Sequence, residues 1–257
     1  MKILFIGDIV GQPGREILER VLPELREEYQ LDFIIANAEN AAAGKGLTGP
    51  VAADLLSLGI NVLTLGNHSF DRSEIETIIN NPRVLRPANY PSVVPGQGFG
   101  IYSIEGKAKI AVISLMGRVY MPLVDCPFRK INEVIDQISG QAPIIIVDFH
   151  AEVTSEKVAM SWYLDGRVSA IIGTHTHVPT ADERILSGGT AALSDAGMTG
   201  PSEGIIGMDR ELVLKKFLSA IPQRFNVAQG QTVLQGALID IDEVTGRSRS
   251  IVRISRT

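Results

Sequence analysis

The run Ala170-Ile171-Ile172-Gly173-Thr174-His175-Thr176-His177 is a short apolar strand that breaks on Gly173-Thr174 and then delivers two histidines. Residues i and i+2 of an extended segment point the same way, so His175 and His177 can converge on one site. A His-x-His pair recurs by chance and is weak alone; directly after Gly-Thr at a strand end it points to metal. The pattern repeats upstream. Ile3–Ile6 leads to Asp8, Phe33–Ala36 to Asn37, Glu39 and Asn40, Val62–Leu65 to Gly66, Asn67 and His68, and Ile144–Val147 to Asp148 and His150. The chain has four histidines, and all of them follow such runs. Ligands of open α/β sheets bind outside the carboxyl ends of the strands, where this chain repeatedly places an acid, amide or imidazole.

Between the strands the texture is amphipathic. Helices are expected around Arg15–Glu28, near Pro50–Leu58, around Glu156–Leu164 and from Ser73, where Ser73 and Glu76 stand at capping-box spacing. Ile110–Leu115 is a further buried strand. Beyond Thr180 the chain turns β-rich, with Ile185–Leu186, Ala191–Ser194 and Val233–Ile241 as strands and one helix near Arg210–Leu218. Arg247–Ile254 is expected to pair back across a turn at Glu243–Gly246. No repeat, low-complexity tract or Pro/Ser linker divides the chain. The expectation is an α/β fold over residues 1–257 as a single domain, with two packed β-sheets and helices outside.

Composition narrows the partners. Of the 257 residues 45% are hydrophobic and 21% charged, which describes an ordinary globular protein. A net charge of -5 argues against a surface for duplex nucleic acid or an anionic membrane. A small phosphorylated substrate remains compatible, because metal ions supply positive charge locally. Cys126 is the one cysteine, so neither an intrachain disulfide nor a thiolate cluster is available. Asp8 cuts the first apolar run short of a signal peptide, and no uncharged run approaches the ~18 residues of a membrane span. The expected location is cytoplasmic.

Carboxylates, amides and imidazoles without thiolate suit manganese, iron, zinc or nickel better than copper(I) or an iron–sulfur cluster. The donors exceed what one tetrahedral ion takes, and fit two ions about 3.5–4 Å apart that share a bridging carboxylate.

Five segments carry a resemblance over the whole chain: Gly7-Asp8-Ile9-Val10-Gly11, Asn37-Ala38-Glu39-Asn40, Gly66-Asn67-His68-Ser69-Phe70-Asp71, Asp148-Phe149-His150-Ala151-Glu152 and Gly173-Thr174-His175-Thr176-His177. Together they resemble the calcineurin-like metallophosphoesterases, and most of all the bacterial YmdB-type branch of cyclic-nucleotide phosphodiesterases. The stretch Ser194–Pro201 belongs to the same likeness. The resemblance implies a four-layer sandwich of two mixed sheets flanked by helices, and is compatible with a homo-oligomer. Two departures from the wider superfamily stand out: Val10 occupies the place of its first histidine, and Glu39 that of its bridging aspartate. The resemblance implies that Asn40 fills the gap left by the histidine. Asp8, Glu39, Asn40 and His177 then hold one ion, and Glu39, Asn67, His150 and His175 the other, with iron, manganese and zinc left open.

The implied chemistry is hydrolysis of a small phosphodiester, a 2′,3′- or 3′,5′-cyclic mononucleotide, by a hydroxide bridging two metal ions, with His68 as proton donor to the leaving oxygen. An imidazole suits that role because its ordinary pKa of about 6.5 lies close to working pH. A phosphomonoesterase, a short-RNA nuclease or a metal-bound regulatory protein with little turnover are the competing readings. Asp71 is either the residue that orients His68 or an acid at a helix start. Asp148 and Glu152 are read as solvated or as supports of the ligands. Gly44-Lys45-Gly46 and Gly197–Gly207 are candidate site covers or plain turns, and Trp162 is read as core.

Overall fold

The computed structural model describes residues 1–257. In chain order β1 (Lys2–Ile6), β2 (Asp8–Ile9), α1 (Gly11–Tyr29), β3 (Phe33–Asn37), α2 (Gly49–Ser57) and β4 (Val62–Thr64) come first. A 3-10 segment, Ser73–Thr77, precedes β5 (Val84–Leu85), β6 (Phe99–Tyr102), β7 (Ile110–Met116), α3 (Pro127–Ile138) and β8 (Ile144–His150). Then follow α4 (Thr154–Tyr163), β9 (Ala170–Thr174), β10 (Arg184–Ile185), β11 (Ala191–Leu193), β12 (Met198–Pro201), α5 (Arg210–Ser219), β13 (Thr232–Ile241) and β14 (Ser248–Arg256).

One sheet runs β2-β12-β13-β1-β3-β4-β5 with β14 also paired to β13; the other runs β10-β11-β9-β8-β7-β6. Both are mixed. β1, β3, β4 and β5 are parallel, with β13 antiparallel to β1. β7, β8, β9 and β11 are parallel, with β6 antiparallel to β7.

The strands read as unbroken apolar runs because both of their faces are covered. Alternate residues sort between two cores. Ile3, Phe5, Phe33, Ile35 and Val62 meet Ile110, Val112, Ile144, Ile146 and Ile172 between the sheets. Leu4, Ile6, Ile34 and Leu63 turn the other way onto Ile17, Leu18 and Leu22 of α1 and Leu55 of α2. Ile113, Val147, Phe149 and Ile171 do the same against Ile131, Val134 and Ile138 of α3 and Met160 of α4. The layers are therefore helix, sheet, sheet, helix, as the sequence implied. Each buried Ile or Phe contributes roughly 1.5–3 kcal/mol, enough in sum to fix the register of both sheets.

Several local expectations change. Ser73 caps nothing: its hydroxyl reaches Glu74, and only a short 3-10 segment forms before Asn80-Asn81-Pro82. Trp162 is not core but 54% exposed, with Arg184 5.6 Å from its ring centre. The buried face of α4 is Lys157, Met160 and Ser161, because Lys157 turns inward to a carboxylate and rotates the apolar stripe. Sequence reasoning passed over α3, β6 and β12, although Ile131, Val134 and Ile138 of α3 have helical spacing. The turn joining β13 to β14 forms as expected, with Asp242 accepting hydrogen bonds from the amides of Val244 and Thr245. No helix is long and apolar enough to cross a membrane.

Candidate metal centre

The polar residues continue the strands rather than merely following them. β8 pairs with its neighbours as far as His150, and β9 as far as Thr174. Period two then dictates where their side chains go. Ile144 and Ile146 face the other sheet, so Asp148 and His150 do also; Phe33 and Ile35 set the same direction for Asn37, and Val62 for Thr64. The space between the sheets is thus hydrocarbon for most of its length and polar at one end.

Asp148 is the hub of that end, fully buried and not solvated. It accepts hydrogen bonds from Asn37 Nδ2 at 3.0 Å, from Thr174 Oγ1 at 2.7 Å and from Thr64 Oγ1. Burial, partly offset by the nearby His150, raises its carboxyl to about 6. Because Thr174 spends its proton on Asp148, its oxygen accepts from His150 Nδ1 at 2.9 Å. In the neutral ring that assignment leaves Nε2 of His150 bare, and when the ring is charged its second proton sits on Nε2, facing Glu39.

The other two strand-end histidines are fixed the same way. Nε2 of His175 lies 3.0 Å from Glu152 Oε2, and Nδ1 of His177 donates to the carbonyl of Ile206 at 2.9 Å. Their free nitrogens are His175 Nδ1 and His177 Nε2. Tying one imidazole nitrogen to an acceptor so that the other can bind a cation is what metal-ligating histidines almost always show.

The free nitrogens and the acids converge. His150 Nε2 lies 3.0 Å from Glu39 Oε1, 3.0 Å from Asn67 Oδ1 and 3.0 Å from His175 Nδ1. Glu39, His150 and His175 form a group whose ligand atoms all lie within 4.8 Å of one another. Asp8 Oδ1 lies 3.9 Å from His177 Nε2 and 3.9 Å from His150 Nδ1, is buried, and has no hydrogen-bond partner. Asn40 directs its amide nitrogen at His177 Nε2 (3.1 Å) and Glu39 Oε1 (3.3 Å); a half-turn of the amide presents its oxygen there instead. Lone pairs facing lone pairs around an orphaned carboxylate oxygen is the arrangement a cation relieves, so these residues fit a metal site.

The electrostatics agree. Burial opposes charge on His150, yet Glu39, with Asp8 and Asp148, lifts the imidazole to about 9. Burial and the charge on His150 push His175 down to about 3. Burial also holds Asp8 above the ordinary carboxylate range, while Glu39, though buried, is held at about 2 chiefly by His150. One proton on His150 does for this basin what a metal charge does better.

His68 stands apart from the cluster. Its amide donates to Glu39 Oε2 at 2.9 Å, and its ring Nδ1 meets Asp71 Oδ2 at 2.7 Å. Asp71 therefore orients His68 and starts no helix. The same carboxylate oxygen takes Lys45 Nζ at 2.8 Å.

Sequence comparison decides the family. A model described as YmdB-like protein matches residues 4–254. The chain belongs to the YmdB-like family. A Bacillus subtilis relative named 2′,3′-cyclic-nucleotide 2′-phosphodiesterase is 50% identical over 255 residues, 99% of this chain and 96% of the relative. A crystal structure of a hypothetical protein from Thermus thermophilus superposes with TM-score 0.94 at 39% identity, covering 100% of this chain and 99% of that one. A structure described as a novel phosphatase from Mycoplasma pneumoniae gives TM-score 0.94 at 36% identity, covering 100% and 93%. Membership makes the chain a hydrolase of the phosphodiesterase and phosphatase kind.

The candidate site opens into a cleft of about 470 Å³. Glu39, Asn40, His68, His175 and His177 line one wall. The other is Ile205, Ile206, Met208, Phe217 and Phe225, contributed by the segment after β12, by α5 and by the stretch that follows α5. Gly44 and the Ile205–Ile206 turn border it, whereas Gly197 is packed against Gly7, Pro179 and Gln235. Three contributors went unnoticed in the sequence: Thr174 and Thr64, which sit within strands, and the ion pair of Lys157 with Asp195. Nζ of Lys157 is 2.7 Å from Asp195 Oδ2, and both side chains are buried. Asp195 Oδ2 also accepts from the amide and hydroxyl of Thr176, between the two histidines.

Proposed function

We propose that this chain hydrolyses nucleoside 2′,3′-cyclic phosphates at a centre for two iron, manganese or zinc ions, leaving a 3′-phosphomonoester. The observation that carries the reading is the set of three histidines, each with one nitrogen within 3.0 Å of an acceptor and the other turned to a basin around Glu39. The name of the Bacillus relative supports the choice of diester.

In this reading Asp8, Asn40 and His177 would hold one ion, Asn67, His150 and His175 the other, with Glu39 contributing to both. When bound, the ions polarise the phosphate oxygens and make water nucleophilic at neutral pH. Glu39 would serve both ions, and Asp148 through Thr174 fixes the His150 ring. His68 has Nδ1 committed to Asp71, so Nε2 faces the substrate. As water oxygen bonds to phosphorus and the bond to the 2′ oxygen breaks, His68 gives that oxygen its proton. The apolar wall opposite takes the nucleoside. A small anionic substrate and a lone cysteine, Cys126, accord with work in the cytoplasm.

Elemental analysis of the purified protein, with hydrolysis of bis-p-nitrophenyl phosphate, p-nitrophenyl phosphate and 2′,3′- and 3′,5′-cyclic nucleotides, tests this. The expected result is about two transition-metal ions per chain and diester turnover above monoester turnover, with the 2′,3′-cyclic compounds preferred. Bound metal without turnover of any of them sinks the enzymatic reading. No metal after reconstitution sinks all of it.

A further inference from the structure

A second cleft, also of about 470 Å³, lies beside the first and shares Phe225 with it. Its lining includes Lys45, Arg72 and Arg224 and contains no acid; Gln12, Asn226 and Gln229 complete the polar part. In a chain of net charge -5 such a concentration of cations is out of character. Arg224 is exposed, and neither it nor Arg72 forms an ion pair. Arg72 is held in place by donating to the carbonyls of Lys45 and Ala42.

The two clefts are contiguous at two points. Gly44 borders the first and Lys45 the second. The ammonium of Lys45 and the ring of His68 also grip the same oxygen of Asp71, from 2.8 and 2.7 Å. The basic cleft is therefore within reach of whatever extends from a nucleotide whose leaving oxygen meets His68. Phe225 stands between them as a ring on which a base can stack, with Lys216 Nζ 5.1 Å from its centre. Cations along the backbone path and aromatic rings for the bases are how single strands are held.

We propose that the substrate extends beyond a mononucleotide: a short oligoribonucleotide ending in a 2′,3′-cyclic phosphate, whose next phosphodiester sits among Lys45, Arg72 and Arg224. This rests on the cyclic phosphodiesterase reading of the metal centre. The net charge of -5 argues for a short oligonucleotide.

The test compares 2′,3′-cyclic AMP, its 5′-phosphorylated form and the dinucleotide ApA with a terminal 2′,3′-cyclic phosphate, on the metal-loaded protein and on Arg224→Gln and Arg224→Glu. At low salt KM for the dinucleotide is expected about tenfold below that for the mononucleotide, an advantage that shrinks with added salt. Arg224→Gln reduces that advantage and Arg224→Glu abolishes it, with KM for 2′,3′-cyclic AMP as in the parent. Equal KM for the two in the parent protein overturns the inference. So does an Arg224→Glu effect of the same size on both, or a gain shown by the 5′-phosphorylated mononucleotide and not by the dinucleotide. Failure to hydrolyse any of the three is a different result, because it removes the phosphodiesterase reading itself.

Discussion

Replacing Asp195 by Asn separates two roles that the structure combines in one side chain. Asp195 neutralises Lys157, whose ammonium is 2.7 Å away with side-chain exposure of 4% against 1% for the acid. It also accepts from Thr176 N at 3.1 Å and Thr176 Oγ1 at 2.8 Å. Removing one charge of a buried pair costs about 3–5 kcal/mol, since the other is left without a counter-charge. Weakening the Thr176 bonds adds about 1 kcal/mol. A protein of this size loses about 2–4 °C of melting temperature per kcal/mol, so Asp195→Asn is expected to melt about 10–20 °C lower. The second role concerns His175 and His177, which occupy positive φ at 101° and 62°. Such backbone costs roughly 1–3 kcal/mol per residue and persists only when its surroundings impose it. With Thr176 released, the two imidazoles lose their aim, and metal affinity is expected to drop about ten- to a hundredfold. The double variant Lys157→Met/Asp195→Leu removes both charges, and so recovers most of the melting temperature while leaving metal affinity low. Calorimetry and chelator competition on the three proteins read both roles. If Asp195→Asn melts within about 2 °C of the parent and keeps its metal, the reasoning is wrong.

His68→Ala is expected to keep full metal content and lose about 10²–10⁴ in kcat, as read by elemental analysis beside a diester assay; loss of metal would move His68 into the coordination shell. Thr174→Val cuts the link from Asp148 to His150, and a chelator titration should show affinity about ten- to a hundredfold weaker with the fold intact. Glu39→Gln is expected to lose metal and turnover together. In metal-free protein His150 titrates near 9, above its ordinary value of about 6.5. Its contribution to stability is therefore full below about 6.5 and lost as pH rises through 9, so the metal-free melting temperature should fall over that range while the loaded protein changes little; a flat metal-free profile would contradict the assignment.

Strand positions and the donors at their ends were legible because both follow from chain-local rules. An apolar run wants burial, and an acid or imidazole at its end has nowhere else to point. The ends of β8 and β9 were placed too early, at Val147 and Ile172, because Asp148 and Thr174 look like loop residues until the partner strand that pairs with them is known. Lys157 was illegible for the opposite reason. Nothing near it in the chain marks a lysine for burial; its partner lies thirty-eight residues on, in Asp195. That one pairing also misplaced Trp162, since the face of α4 that turns inward is set by the ion pair and not by the apolar stripe. The orienting role of Asp71 was visible as a spacing from His68, though only the fold shows that Lys45 shares its oxygen.

The two walls of the cleft come from different parts of the chain. Every proposed metal donor lies at or before His177, on or just beyond the ends of strands whose other halves are the protein's interior. The facing wall begins at Ile205 and ends at Phe225, largely on a surface helix and the turns around it. Chemistry and selectivity are in this sense separately inherited. A redesign aimed at a different leaving nucleoside can therefore rewrite the side chains of α5 and its flanks, provided the Ile206 carbonyl stays on His177 Nδ1. The same ambition pursued from the metal side would have to rebuild the centre of the molecule.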